Sequence, residues 1–413
     1  MITLLSGTDA EPAARQWPRL GRVTAGLPAP LAALDLAALG HNAGLLTTLA
    51  AGTRLRLVTK SVRCRELIKA IDRLDGWHGV MASSLAEAVW LVRTGTSSDV
   101  LVGYPTVDRQ AIAELVADEE LASKITISVD GPEHLDLIDA VATPRRRAVV
   151  RICLDLDVSL SIGPWQFGAH RSAVATAAEA ESLARSVASR PGYRLVGVLA
   201  YEAQLAGVPD RGTGTFGDVV VEPVLRQLKR RSLCDLRSRR TAMVAAVRRV
   251  VELEFVNGGG TGSLTTTVDD PSITEVGLGS GLFGPHLFDR YDDITPAPAV
   301  GFALDVTRQH AADVIVCHGG GWVASGPPRS DRAPQPVHPT DLRFVPGEGP
   351  GETQTPLRLR SAADTMVGVG DRVWFRHAKS GELSDRVTQL AVVRGEELVA
   401  QVPTYRGEGK AFW

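Results

Sequence analysis

The run Val256-Asn257-Gly258-Gly259-Gly260-Thr261-Gly262-Ser263 follows what reads as the end of a strand. So many glycines leave backbone N–H groups exposed on the turn, with the Thr261 and Ser263 hydroxyls beside them, a combination that can hold a phosphate. Taken alone, the stretch also fits a surface turn with no ligand. Far upstream, Lys60 ends the apolar run Arg54 to Thr59. The basic residues are overwhelmingly arginine, and the only lysines are Lys60, Lys69, Lys124, Lys229, Lys379 and Lys410. A lysine kept at a strand end in such a chain invites a chemical role; the alternative is a rim ammonium paired with a carboxylate.

The elements between these two features decide whether they can meet. Strands are expected at Arg54 to Thr59, Gly79 to Ala82, Asp99 to Val102, Ile125 to Val129, Ala148 to Leu154, Leu195 to Leu199, Glu254 to Asn257 and Ile273 to Leu278, with helical patterns between them. Eight βα units with apolar strands predict an α/β fold, a parallel (β/α)8 TIM-like barrel, followed by a mostly β C-terminal domain. Chemistry in such barrels sits at the carboxyl ends of the strands, and a phosphate is often held by the loops after strands seven and eight. Those loops are Gly258 to Ser263 and Gly279-Ser280-Gly281. Closure makes the first strand, which ends on Lys60, a neighbour of the eighth, so the three features are expected on one face.

The predicted organisation is an N-terminal arm over 1–27 that can pack on the β domain, the barrel over 28–287, and a β domain over 288–413 that covers the active site. The first residues of the barrel span, Leu31 to Asp35, read as a short strand, and Leu36 to Leu49 as an amphipathic helix. After Leu287 only short β-type runs appear, separated by stretches rich in Pro and Gly. The Arg-rich region Arg226 to Arg249 reads as a solvated helix face.

The chain of 413 residues has a net charge of −2 and no basic block, which gives no reason to expect nucleic acid. Cys64, Cys153, Cys234 and Cys317 are scattered without a CxxC pair, as expected of reduced, buried thiols in a cytoplasmic protein. No run of about 18 apolar residues suggests a membrane span, and Met1 to Arg22 does not read as a signal peptide.

A lysine at a barrel strand end, opposite a phosphate cradle, is the arrangement that pyridoxal 5′-phosphate needs: the phosphate tethers the cofactor and the ε-amine forms the imine. Rim burial leaves such an amine partly neutral, hence nucleophilic. Leu31 to Asp35 through Asn42, Leu57-Val58-Thr59-Lys60, Leu101 to Pro105, Tyr201-Glu202-Ala203-Gln204, Val256 to Ser263, Ile273 to Val276 with Gly279-Ser280, and Tyr405 to Gly409 resemble the fold-type III pyridoxal phosphate enzymes with the alanine racemase-like fold. Within them the chain looks like the D-threonine aldolase and D-serine dehydratase branch, often called amino acid deaminase/aldolase. The resemblance covers about Pro28 to Trp413 and lies in the order and spacing of these motifs together. It implies Lys60 as the imine lysine. It implies Gly258, Gly259, Gly260, Thr261, Gly262, Ser263, Gly279 and Ser280 as the phosphate site, and Tyr201 beside the cofactor. A homodimer is also implied.

Two departures bear on mechanism. Alanine racemases carry an arginine facing the pyridine nitrogen, where this chain has Gly277, and no matching second-base tyrosine motif is found. The aldolase and dehydratase branch usually carries a His-x-Cys or His-x-Asp metal pair; here the block is His377-Ala378-Lys379, followed by Glu382. Lys379 is normally cationic and would repel a divalent ion. Either His377 binds a metal, with Glu382 or Cys317-His318 as helpers, or Lys379 takes over the metal's electrostatic place; a simple surface histidine is the third reading. Arg171, after the fifth strand, is a candidate for the substrate carboxylate or the cofactor ring, or it simply pairs with an acid.

The expected function is a pyridoxal phosphate-dependent lyase on a D-β-hydroxy amino acid. For aldol cleavage His377 or its neighbours would take the β-hydroxyl proton; for dehydration Lys60 would take the α-proton. A racemase or epimerase, and a non-catalytic carrier of the cofactor, are the alternatives.

Overall fold

The computed structural model describes residues 2–212, 218–327, 329–360 and 367–412, and not the side chains of residues 218–221. Eight parallel strands close into a barrel: Arg54–Val58, Trp77–Ala82, Val100–Val102, Ile125–Val129, Val150–Asp155, Tyr193–Ala200, Phe255–Gly258 and Glu275–Leu278. These are the eight strands expected from the sequence. Most of their residues are buried, because each strand packs a barrel interior on one side and helices on the other. Closure pairs Leu278 with Leu57, and the sixth strand pairs with the seventh at Ala200 and Gly258. Those two registers place Gly279 beside Val58, and Tyr201 beside Gly259.

The second unit is a nine-stranded sheet whose central path runs Leu342–Phe344, Gln354–Leu359, Val314–His318, Val300–Ala311, Leu31–Asp35, Gln389–Arg394 and Glu397–Pro403. Strand Leu31–Asp35 lies within the span expected for the barrel, yet it pairs antiparallel with Val300–Ala311 and parallel with Gln389–Arg394. Its five residues are all buried, and nothing in so short an apolar run says which sheet it joins.

Within the N-terminal arm, Ala13–Val23 is a helix with Pro18 inside it. Trp17 and Leu20 pack on Leu31, Ala33, Ala303, Trp374, Ala391 and Val393 of the sheet, with the Trp17 and Trp374 rings 6.0 Å apart. Arg19 pairs with buried Asp35, whose carboxylate also caps the helix Leu36–Leu49 by accepting from the Ala37 N–H at 2.9 Å.

The helix Asp218–Arg248 corrects one expectation: the Arg-rich stretch is not simply a solvated face. Arg240 is fully buried, donating to Asp270 at 2.7 and 3.0 Å and to Glu202 at 3.2 Å. Charge alone could not reveal this, because the carboxylates that make the burial tolerable come from distant segments. No described helix is long and apolar enough to cross a membrane.

Candidate active site

One cleft with a cavity of about 120 Å³ opens at the carboxyl ends of the barrel strands. Its walls include Lys60 after the first strand, Met81 and Ser83 around the end of the second, Tyr104 after the third and Arg171 after the fifth. Tyr201 follows the sixth strand, Gly259, Gly260 and Thr261 the seventh, and Gly279 and Ser280 the eighth. The lysine and both glycine-bearing loops therefore meet in one cleft.

Of the glycine turn, Gly259, Gly260 and Thr261 face the cleft, whereas Gly262 lines a groove on the outer side against Tyr291. Gly258 ends its strand, and Ser263 is buried, with its hydroxyl accepting from the Gly260 N–H at 3.2 Å. Gly259 has φ +74, which favours glycine. Its N–H donates to Glu202 at 2.8 Å, and Glu202 in turn accepts from Arg240 and from the Thr267 hydroxyl. This buried chain of residues fixes the turn from behind. Thr261 Oγ1 accepts from the Ser280 hydroxyl at 3.2 Å and from the Gly281 N–H at 3.1 Å, tying the two loops together.

A phosphorylated ring compound fits this architecture. A Cβ on Gly260 would stand 2.9 Å from the Ala206 Cβ, and one on Gly279 would stand 2.8 Å from the Val58 carbonyl oxygen, so neither position has room for a side chain and both loops present bare backbone at the cleft wall. Thr261 and Ser280 hydroxyls remain at the cleft wall, where short helical turns begin and N–H groups lack intrahelical partners. At the floor, a Cβ on Gly277 would come 3.1 Å from Asn257 Oδ1. Asn257 itself donates to Glu275, which pairs with buried Arg56 at 2.8 Å.

Lys60 Nζ donates to the Tyr104 hydroxyl at 2.8 Å, and among the described residues no carboxylate pairs with it. The Arg171 guanidinium lies over the rings of Tyr104 and Tyr201, 5.4 and 5.3 Å from their centroids. Burial pushes the Tyr104 phenol up, but Lys60 and Arg171 outweigh it and bring the phenol below its ordinary value. Among the described residues Tyr201 has no such donor; burial raises it, with Arg171 only partly opposing. Asp155, at the end of the fifth strand, is pushed up to about 7 by burial and by Asp130, against the pull of Arg171. It lines a small side cavity that shares Gly103, Arg171, Leu199 and Tyr201 with the main cleft.

His377 and Lys379 do not line the Lys60 cleft. They lie with Trp322, Glu382 and Arg386 around a separate small cavity. The His377 ring is buried, and among the described residues neither of its nitrogens finds a well-formed hydrogen-bond partner. Burial, then Arg376 and His286, lower it to about 3, with the Val300 backbone acting weakly the other way. Lys379 is partly exposed and donates to the Ser325 hydroxyl at 2.9 Å. Cys317 and His318 pair with Thr355 and Gln354 in the sheet.

Among the described residues no group of three or more His, Cys, Asp or Glu side chains is placed to hold a metal ion. With an ammonium two residues from the histidine, the donor set does not fit a divalent ion. What the loop does is brace Lys60: Ser380 and Ser384 donate to the carbonyls of Ser61 and Val62 at 2.9 Å, and Gly381, at φ +76, has no room for a Cβ beside the Lys60 carbonyl. Tyr405 clasps the same turn, its N–H bonding to the Arg63 carbonyl at 2.8 Å and its hydroxyl donating to buried Glu87 at 2.9 Å.

Sequence reasoning quoted Tyr104, Glu202 and Tyr405 only as parts of motifs, and missed Arg240. Their partners lie far off in sequence, so nothing beside each residue in the chain marks its role.

The chain is 24% identical over 274 residues to 3-hydroxy-D-aspartate aldolase of Paracoccus denitrificans (strain Pd 1222). That match takes in 64% of this chain and 62% of the relative, less than two thirds of its length. Its structure resembles that of D-threonine aldolase from Filomicrobium marinum, with a TM-score of 0.77 at 20% identity over 93% of this chain and 96% of the other. It also resembles D-threo-3-hydroxyaspartate dehydratase from Delftia sp. HT23, with a TM-score of 0.68 at 18% identity over 94% and 98% of the two chains. At these identities the likeness speaks to the fold. Residues 34–286, more than half of the chain and the whole span that carries the cleft's lysine and both glycine loops, match the alanine racemase N-terminal domain, and the protein belongs to that family.

Proposed function

We propose that the Lys60 cleft holds pyridoxal 5′-phosphate and that the protein is a lyase for a D-configured β-hydroxy amino acid, acting by aldol cleavage or by loss of water. The observation that carries this reading is one lysine amine sharing a cleft with a glycine turn and two hydroxyls suited to a phosphate. The relatives named above supply the substrate class: each acts, by its name, on a β-hydroxy amino acid of D configuration.

Bound there, the cofactor supplies an electron sink next to the substrate amine. The chain's own residues do the rest. Thr261 and Ser280, with the N–H groups of their turns, hold the phosphate, and Glu202 with Arg240 keeps the turn in shape. Lys60 supplies the nucleophilic amine and moves a proton at Nζ. Arg171, at the cleft mouth, is suited to the substrate carboxylate through its planar fork of donors. Tyr201 closes the wall beside the ring. No proton transfer is assigned to His377 or Lys379, which lie outside the cleft.

The test is borohydride trapping of the cofactor on wild type and on Lys60→Ala, followed by D-threonine, D-3-hydroxyaspartate and D-serine with and without chelator. Trapping by wild type alone, with aldehyde or keto acid formed, is expected. Equal trapping by Lys60→Ala would show that another lysine is used. Trapping without turnover of any substrate would favour a carrier, and inversion with α-deuteration in heavy water would favour a racemase.

A further inference from the structure

We infer that Tyr104 is a catalytic residue of this cleft, exchanging a proton directly with Lys60 Nζ. The inference rests on the proposed use of Lys60 as a nucleophile and adds the group that makes the amine available.

An ammonium is no nucleophile, so Lys60 must lose a proton before it attacks. In many sites a carboxylate would take it; here the atom at bonding distance is the Tyr104 phenol oxygen, 2.8 Å from Nζ. The third barrel strand, which ends at Val102, delivers Tyr104 to the rim, and the ring lies along the lysine, with Nζ 5.4 Å from its centroid. On the same ring sits the Arg171 guanidinium. Two cations thus face one phenol in a partly buried cleft, which favours its anion. The other groups facing it are Asp155, whose charge works against the phenolate, and the neutral phenol of Tyr201.

The step is balanced within the pair. From Lys60–NH3+ and Tyr104–O−, the Nζ–H bond breaks and the Oη–H bond forms, giving a neutral amine beside a neutral phenol. When Lys60 is released at the end of a cycle, the phenol returns the same proton. Solvent needs to remove only one proton from the couple, because the second passes between Nζ and Oη.

The experiment uses the full chain. It has five tyrosines, and Tyr193, Tyr201, Tyr291 and Tyr405 are all pushed above the ordinary phenol range, chiefly by burial. Phenolate absorbance measured against pH on the unloaded protein should show one phenol per chain titrating below about 10. That phase should be absent from Tyr104→Phe and moved to higher pH in Arg171→Met. Superimposable curves for wild type and Tyr104→Phe, with circular dichroism confirming that both are folded, would overturn the inference.

A second readout is the rate of borohydride-trapped capture of pyridoxal 5′-phosphate. In Tyr104→Phe it should fall roughly 100-fold at neutral pH and recover as pH rises, as for loss of a proton-transfer group. A uniform loss at every pH would assign Tyr104 a packing role instead. Failure of wild type to capture the cofactor at all would sink the cofactor reading, while the phenolate titration would still decide whether Tyr104 and Lys60 share a proton.

Discussion

Replacing Arg240 with Met tests whether the glycine turn is held by a buried ionic chain. Arg240 and Asp270 are completely buried and Glu202 is 1% exposed. Removing the guanidinium takes two hydrogen bonds from Asp270 and one from Glu202, leaving two carboxylates inside the protein without their cation. Breaking a buried pair by removing one partner costs about 3–5 kcal/mol, a large share of the roughly 5–15 kcal/mol that keeps a protein folded. Urea unfolding followed by circular dichroism and tryptophan fluorescence should show that loss as a lower midpoint.

The sign of its pH dependence is fixed by Asp270. Burial opposes its charge, but Arg240 and Ser272 outweigh burial and hold the carboxyl below its ordinary value. The contribution is therefore present above about pH 3.9 and disappears as pH falls through the depressed folded value. The deficit of Arg240→Met should shrink on acidification, and adding Asp270→Asn should recover part of it. Because Glu202 also fixes the Gly259 N–H, cofactor affinity should drop as well. A loss below about 1 kcal/mol, as for an exposed pair, or a deficit independent of pH, would refute the reasoning.

Asp155, pushed up to about 7 by burial and Asp130, gives the opposite sign. Its stabilising contribution is complete below about pH 3.9 and lost as pH rises through 7. Melting temperatures of wild type should therefore decline relative to Asp155→Asn between pH 4 and 8, and a constant difference would count against a buried acid. Gly279→Ala would put a methyl 2.8 Å from the Val58 carbonyl oxygen and 2.9 Å from the Ser61 Cβ, beside Lys60. Cofactor titration should show at least about tenfold weaker binding, since a displaced strand end costs on the order of 1–3 kcal/mol; unchanged affinity would remove Gly279 from the cradle.

The barrel was legible because each strand is a short apolar run between helical patterns, so counting from Lys60 reaches eight without any long-range information. The cleft was legible for the same reason: strand order alone makes the end of the first strand a neighbour of the eighth. What escaped were residues whose meaning depends on a distant partner. Arg240 looks like other arginines on its helix until Asp270 and Glu202 are brought to it. Tyr104 sits in a motif but is ordinary until Lys60 bonds to it. The helix Ala13–Val23 hides behind Pro18 and mixed polarity, because its Trp17 and Leu20 answer to a sheet completed only by the last hundred residues. His377 shows the converse: its spacing from Lys379 is conspicuous in sequence, while its buried ring turns to a cavity apart from the cleft.

Strand Leu31–Asp35 has an implication for how the protein is made. It leaves the ribosome before any of the barrel, yet both its neighbours, Val300–Ala311 and Gln389–Arg394, emerge after the barrel is complete. During synthesis its backbone donors and acceptors must wait for those partners while the barrel assembles downstream. A gene cut between barrel and sheet would thus yield two fragments that each fail: one trailing an orphan strand, the other lacking the strand at its centre. Mixing them should restore a native assembly only if the orphan strand can still thread into place.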